Sequence, residues 1–156
     1  MSDWLSPSFI YSIVKDLWNK YLYKKTKPFV YKVDEEIVTF DEKMRSLKMD
    51  VIKVMAHDHE LGIAAEYAWM NNFYPKHRRI VKMLSTLEVM TGKRKSGEII
   101  RPGETLFDIF LLKLDGGREK SVYFDISNFF SGEDSSLTNP SVYANKKLAD
   151  LYSSKS

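Results

Sequence analysis

The sequence predicts an α+β protein, in which an N-terminal amphipathic helix and a second helical segment pack on a mostly antiparallel sheet that ends in a long β-hairpin. Three observations support this fold class: apolar residues at helical spacing near the N-terminus, β-prone runs around a Gly-Gly pair at residues 105–130, and helices that precede a run of strands. The length of 156 residues suits one domain, 1–156. Residues 131–156 are expected to be partly a linker-like C-terminal tail.

The N-terminal helix is predicted to begin at Ser6-Pro7 and to run to about Tyr23, because Ser is a good N-cap and Pro is tolerated in the first turn. Its apolar side consists of Phe9, Ile10, Ile13, Val14, Leu17, Trp18, Tyr21 and Leu22. Aromatic residues beside lysines also suit a helix that lies on a membrane surface. We favour packing against the protein's own domain, since tertiary packing supplies most helical stability.

Short β-prone runs within residues 29–40 predict a small hairpin. Residues 41–56 fit either a helix or a strand, and we favour a helix because their apolar residues recur at helical spacing. Residues 58–73 predict a helix whose small residues allow close approach to a sheet, with Asp58 in its N-terminal cap region.

Residues 79–90 are also ambiguous between helix and strand, and their β-branched content favours a strand. Residues 92–103 are predicted to form a long polar loop between strands. The sequence NKKLADLY near the C-terminus predicts a short terminal helix.

The hairpin at residues 105–130 is the most distinct feature of the sequence. Gly116-Gly117 readily adopts the positive φ angles of a tight turn, and a two-residue turn there sets Asp115 opposite Arg118. The same register gives a continuous apolar face with the pairs Leu111–Val122, Ile109–Phe124 and Phe107–Ile126.

This register also places Asp108 directly opposite Asp125, so two like charges would face each other. Such a pair can bind Mg²⁺ or divide acid and base roles, with Glu66 on the packing helix as a third oxygen donor. The sequence therefore names Asp108, Asp125 and Glu66 as catalytic candidates of a metal-dependent hydrolase. The favoured alternative is a solvated pair, or a pair bridged by Arg78 or Arg79.

A basic segment at residues 76–101 suggests nucleic-acid binding as a second function, since lysine and arginine neutralise phosphates. Its candidate contacts are Lys93, Arg94, Lys95, Arg78 and Arg79. The sequence HDHE at residues 57–60 lacks the spacing of a helical metal site and is better explained as a helix start.

The favoured function is a small interaction module that engages a protein partner, or a second copy of itself, through an aromatic surface. Its candidate interface residues are Trp4, Trp18, Phe129 and Phe130, at the two ends of the folded region. The chain has no cysteine, which excludes disulfides and thiolate sites and agrees with a cytoplasmic location. No transmembrane segment, no bound metal and no cofactor is predicted, except a divalent ion under the hydrolase alternative, and peripheral membrane contact is disfavoured.

Overall fold

A computed structural model describes residues 6–26, 28–130, 148 and 151–152, and the side chains of residues 19–26 are not described. The elements are α1 Pro7–Thr26, β1 Val30–Val33, β2 Glu36–Arg45, β3 Met49–Met55, α2 His59–Phe73, β4 Arg78–Thr86, α3 Leu87–Met90, β5 Leu106–Lys113 and β6 Glu119–Asp125.

The six strands form one sheet in the order β1-β2-β3-β6-β5-β4. Each half is an antiparallel three-stranded unit, and the halves meet where β3 pairs with β6 in parallel. The connection from β3 to β6 runs through α2, β4, α3 and β5. The α+β class and the mostly antiparallel sheet are therefore confirmed.

The sheet buries apolar side chains on both faces. On the face covered by α2, called here the α2 face, Trp69 and Ala65 contact a core that includes Ile52, Phe110 and Phe124. The opposite face has a second core built on Phe107, Ile109 and Tyr123. Successive residues of a strand point to opposite sides, so β5 and β6 supply both cores.

The described residues near the C-terminus cover part of the opposite face. Leu148, Leu151 and Tyr152 are helical, as the predicted terminal helix requires, and they belong to the second core. The Tyr152 ring lies 5.0 Å from that of Phe107, edge to face. This end of the predicted tail therefore packs on the sheet, while residues 131–147 lie outside the described residues.

The small predicted hairpin is confirmed as β1 and β2, with Val33 paired to Glu36. The favoured helix at residues 41–56 is wrong, because β2 continues to Arg45 and β3 spans Met49–Met55. As a central strand, β3 is buried on both sides over most of its length, and such strands lack the alternation that distinguishes a strand from a helix. Between the two strands, Ser46 Oγ donates to Met49 O at 2.9 Å.

The remaining elements agree largely with expectation. Asp58 caps α2 by accepting a hydrogen bond from Leu61 N at 2.8 Å. The strand expected at residues 79–90 ends at Thr86, whose hydroxyl accepts from Val89 N at 3.2 Å and so begins α3. The predicted loop at residues 92–103 is irregular throughout.

The hairpin is present, but its predicted register is wrong by one residue. Leu114 N donates to Arg118 O at 2.7 Å, which leaves a three-residue loop of Asp115 and the two glycines, whose φ angles are 86° and 82°. The observed partners are Leu111–Ser121, Ile109–Tyr123 and Phe107–Asp125. A loop one residue longer turns every β6 side chain to the other face.

Helix α1 begins as predicted, with Ser6 Oγ accepting a hydrogen bond from Phe9 N at 3.2 Å. Its expected packing on its own domain is not seen, since the side chains of residues 7–18 are all exposed. The apolar side of α1 therefore faces solvent over the part whose side chains are described.

The close approach of α2 to Phe129 gives a first prediction. A Cβ added at Gly62 would overlap the Phe129 ring, so Gly62→Ala should lower the free energy of unfolding by about 1–3 kcal/mol. In a helix without this contact, replacing glycine by alanine would be stabilising by about 1 kcal/mol. A net loss of stability would therefore be caused by the clash with the Phe129 ring. Urea unfolding measures it, with Gly62→Ala/Phe129→Leu expected to recover part of the loss. A Gly62→Ala variant as stable as wild type would contradict this packing.

Candidate functional site

The two aspartates chosen from the sequence do not meet. Asp108 pairs with Phe124 and lies on the α2 face, whereas Asp125 pairs with Phe107 and lies on the opposite face. The predicted Asp108–Asp125 pair is therefore wrong, and so is any metal site that needs both carboxylates. The cause is the one-residue change in hairpin register.

Asp125 has a local structural role at the end of β6. Its Oδ1 accepts hydrogen bonds from Ser127 N at 3.1 Å and from Ser127 Oγ at 2.8 Å. It also faces Tyr152, where burial first and the Asp125 charge second raise the pKa of the tyrosine hydroxyl. These contacts fix the turn after β6 and its packing against Tyr152.

Asp108 instead lies beside Glu66, the third residue of the predicted set. Glu66 is fully buried on α2, and neither of its carboxyl oxygens has a hydrogen-bond donor among the described residues. Lys82 Nζ lies 3.9 Å from Asp108 Oδ2 and 5.6 Å from the centre of the Phe110 ring. We call Glu66, Asp108 and Lys82 the carboxyl cluster.

The charge state of the carboxyl cluster follows from burial. Desolvation raises the pKa of Glu66 well above its usual value, and the negative charge of Asp108 raises it further, while Lys82 partly offsets both. Glu66 therefore keeps its proton at a pH where an exposed glutamate has lost it. In that state it can donate a hydrogen bond to Asp108. The proton on Glu66 therefore links α2 to β5.

The arginines expected to bridge the aspartates lie elsewhere. Arg79 Nη1 donates to the Tyr67 hydroxyl at 2.6 Å, and Lys82 is the cation next to Asp108. Arg78 and Arg79 are both exposed on β4, which is an edge strand.

A second buried polar cluster, which the sequence did not reveal, lies on the α2 face where α2 ends. Asp50 is fully buried, with Lys120 Nζ at 3.1 Å and the Tyr74 hydroxyl donating to it at 2.5 Å. Lys120 also donates to the Ser46 carbonyl. Burial first, and then Asp50, raise the pKa of Tyr74, which keeps that hydroxyl protonated as a donor. The only sign of this cluster in the sequence was Asp50 itself, a charged residue directly before the apolar residues of β3.

The basic loop predicted to bind nucleic acid contains an internal ion pair between Arg94 and Glu104. The Arg94 side chain is 2 % exposed; its Nη2 donates to Glu104 at 2.7 Å and to the Thr86 hydroxyl at 3.1 Å. Arg94 therefore does not face solvent as a phosphate ligand would, while Lys93 and Lys95 are exposed. The hydrogen bond from Arg94 lowers the pKa of Glu104.

An open cleft of about 600 Å³ lies beside this loop. Its walls include Ile100, Leu106 and Phe130. The cation at its rim, Arg101, lies 3.9 Å from Glu104 and 3.8 Å from Glu88. The charged groups of the cleft therefore pair with one another.

The proposed aromatic interface residues separate into two environments. Phe129 is 6 % exposed and packs in the core below α2, so it does not form part of an outer surface. Phe130 is partly buried in the cleft wall, and Trp4 lies outside the described residues. Trp18 is 59 % exposed on α1, so among the candidates that the structure describes the exposed one lies on α1.

Among the described residues, one group of three side chains brings potential metal ligands together: Glu36, His57 and Asp58. His57 Nε2 lies 3.3 Å from Glu36 Oε1 and 3.5 Å from Asp58 Oδ2. All three are exposed, and Asp58 already serves as the cap of α2. The group is explained as a set of exposed polar contacts at a helix start.

Comparison with known proteins gives no match to a family model, to a curated protein or to a solved structure. Within the described part of the chain, no helix combines the length and apolar character needed to cross a membrane.

The carboxyl cluster gives a pH-dependent prediction. An unfolded chain releases the glutamate proton near pH ~4.3, whereas folded Glu66 retains it to higher pH, so wild type loses stability as the pH rises through that window. The slope for one proton approaches about 1.4 kcal/mol per pH unit. Glu66→Gln cannot ionise, so its stability relative to wild type should increase between about pH 4 and pH 8.

Urea unfolding across this pH range measures the difference. Glu119→Gln, a change at an exposed carboxylate of β6, is the matched control and should track wild type. A stability of Glu66→Gln relative to wild type that falls between about pH 4 and pH 8 would show that ionised Glu66 stabilises the fold and would contradict the cluster's assignment.

Proposed function

We propose that the protein is a small intracellular interaction module that engages a protein partner through the exposed apolar side of α1. The observation that carries this proposal is the exposure of large apolar side chains on consecutive turns of one helix. Their exposed fractions are Phe9 44 %, Ile10 50 %, Ile13 45 %, Val14 57 % and Leu17 62 %.

Helix energetics support a partner. Most of the stability of a protein helix comes from packing of its apolar side, and contiguous exposed apolar patches mark interaction sites. The side chains of residues 7–18 are all exposed. A partner that covers them would therefore stabilise the helix as well as bind it.

The order of residues along α1 favours a protein over a lipid surface. Residues at spacings of three and four share one side of a helix, so Ile13, Leu17, Lys20 and Lys24 fall on a single line. A helix that lies in a membrane keeps lysines on its polar face and apolar residues toward the acyl chains. Here the apolar line continues into lysine positions, which suits a protein surface that is apolar and then acidic.

The two alternative functions have less support. Four of the residues predicted to bind nucleic acid are exposed cations: Arg78, Arg79, Lys93 and Lys95. The fifth, Arg94, forms internal ion pairs. A metal-dependent hydrolase retains only the contact between Glu66 and Asp108, which is buried beneath α2. Neither arrangement presents a set of converging exposed groups.

A substitution on α1 tests the proposed function. Leu17→Asp places a carboxylate in the middle of the apolar side and should reduce recovery of a protein partner, including an untagged copy of this chain, at least about tenfold. Affinity purification with quantitative mass spectrometry measures this recovery. Leu47→Asp is the matched control, because Leu47 is 89 % exposed in the β2–β3 turn and lies outside α1.

Vesicle flotation tests whether α1 binds a lipid surface instead of a protein. Wild type should stay unbound with anionic vesicles at physiological salt, because its lysine positions interrupt the apolar side. Flotation of wild type that Trp18→Ala abolishes would show that α1 binds lipid, and the proposed function would be wrong.

A further inference from the structure

The fold gathers exposed cations at the end of the sheet that carries the β5–β6 turn. Strand β6 begins at this end and β5 ends there; β3, parallel to β6, and β4, antiparallel to β5, begin there too. Six exposed basic residues lie on these strands and on the turns that adjoin them: Lys48, Lys76, Arg78, Arg79, Lys113 and Arg118. We call this set the basic end.

Acidic groups neutralise only part of the charge of the basic end. Two exposed acids lie among the cations, Asp115 and Glu119. Asp115 Oδ2 lies 3.9 Å from Lys76 Nζ, and both side chains are 79 % exposed, so this pair is weak. The other charged groups nearby pair with one another and add no net charge: Arg45 and Lys120 with Glu42 and Asp50.

Strand register sets two of the cations against each other. Arg78 on β4 is the direct partner of Lys113 on β5, so their Cβ atoms lie roughly 4.5–5.5 Å apart, and like charges so placed are destabilising. Glu119 on β6 is the partner of Lys113 on its other side, which leaves one acid beside two cations. Within the part of the chain that the structure describes, the ion pairs do not include Lys48, Arg78, Lys113 or Arg118.

The composition of the basic end favours phosphate groups as its ligand. Three of its six cations are arginines, and the planar guanidinium group binds two phosphate oxygens at once. A protein interface has an apolar centre that is depleted in charge, and binding to a lipid surface also needs an apolar face.

The exposed apolar side chains described near the basic end are Leu47, Ile80 and Val81. Leu47 adjoins β3, whereas the other two lie on β4, and β6 and β5 separate these strands. The three side chains therefore form no single apolar face for a protein or a lipid surface.

The other end of the sheet carries acidic charge where α2 begins. The β1–β2 turn and the start of α2 contain five exposed acids: Asp34, Glu35, Glu36, Asp58 and Glu60. Lys93 and Lys95, which the sequence suggested for nucleic-acid binding, lie in the loop between β4 and β5 at that end. Charge that is segregated in this way directs a polyanion toward the basic end.

We propose that the basic end binds the phosphate backbone of a nucleic acid. Neighbouring strands lie about 4.8 Å apart, so the row from Lys48 beside β3 to Arg78 on β4 spans roughly 14 Å. Duplex DNA carries one phosphate charge per about 1.7 Å of its axis, so several phosphates lie opposite this row. The surface is separate from α1, and the inference does not depend on the proposed function.

Fluorescence anisotropy of a short labelled DNA duplex and of a short labelled single-stranded RNA tests this binding with the full chain. Wild type should bind at least one probe, and more weakly as salt increases, because each phosphate contact releases counterions. Arg78→Gln/Lys113→Gln should raise the dissociation constant about tenfold or more. For duplex DNA it should also lower the slope of log K against log salt by about 1.8, which is the loss of two contacts.

The double variant Lys93→Gln/Lys95→Gln is the matched control, because it removes the same charge from exposed positions at the other end of the sheet. Both double variants keep the lysines of α1, so a difference between them is caused by the basic end. Urea unfolding checks the fold: Arg78→Gln/Lys113→Gln should be at least as stable as wild type, since it removes two facing like charges. Arg118→Gln, in the exposed turn, should weaken binding in the same direction without a change in strand pairing.

Three results would overturn the proposed site. The first is no change in anisotropy of either probe with wild type at about 50 mM salt, where phosphate contacts are strong. The second is an equal loss of affinity in the two double variants. The third is flotation of wild type with anionic vesicles that Leu47→Asp abolishes, which would show that this end binds lipid.

Discussion

The closure of the β5–β6 hairpin determines where most of the buried side chains lie. Leu114 N donates to Arg118 O across a three-residue loop, and this contact fixes the pairing of two central strands. Phe110 and Phe124 are thereby directed to the α2 face, and Ile109 to the opposite face. A two-residue loop would turn one strand over and place half of its side chains in the wrong core.

The same register accounts for the buried charges on the α2 face. Asp108 lies beneath α2, next to Glu66 and Lys82. Lys120 lies next to Asp50 on the same face. Buried charges of this kind require partners, and these contacts connect α2 to four strands of the sheet. The polar groups beneath α2 therefore face one another, while the described side chains at residues 7–18 of α1 are exposed.

The sequence predicted the features that depend on neighbouring residues and missed those that depend on distant ones. Cap chemistry located α2 through Asp58, and the glycine pair located the hairpin. The register was missed because Gly116 and Gly117 fit loops of two or three residues equally well. Of the candidate site, Glu66 and Asp108 do come together, whereas Asp125 is excluded by that register. The burial of Arg94 depends on Glu104, whose position follows from the fold of the loop and not from local pattern.

The most direct test of this account is a pair of engineered disulfides, since the chain has no cysteine of its own. Lys113 and Glu119 are partners in the observed register. They flank a hydrogen-bonded pair, so their Cα atoms should lie about 4.5–5.5 Å apart, a separation that a disulfide spans. The fraction of cross-linked chain, read by gel mobility without reductant, should be near complete for Lys113→Cys/Glu119→Cys and low for Lys113→Cys/Lys120→Cys. The reverse result would contradict the three-residue turn and, with it, the assignment of side chains to the two cores.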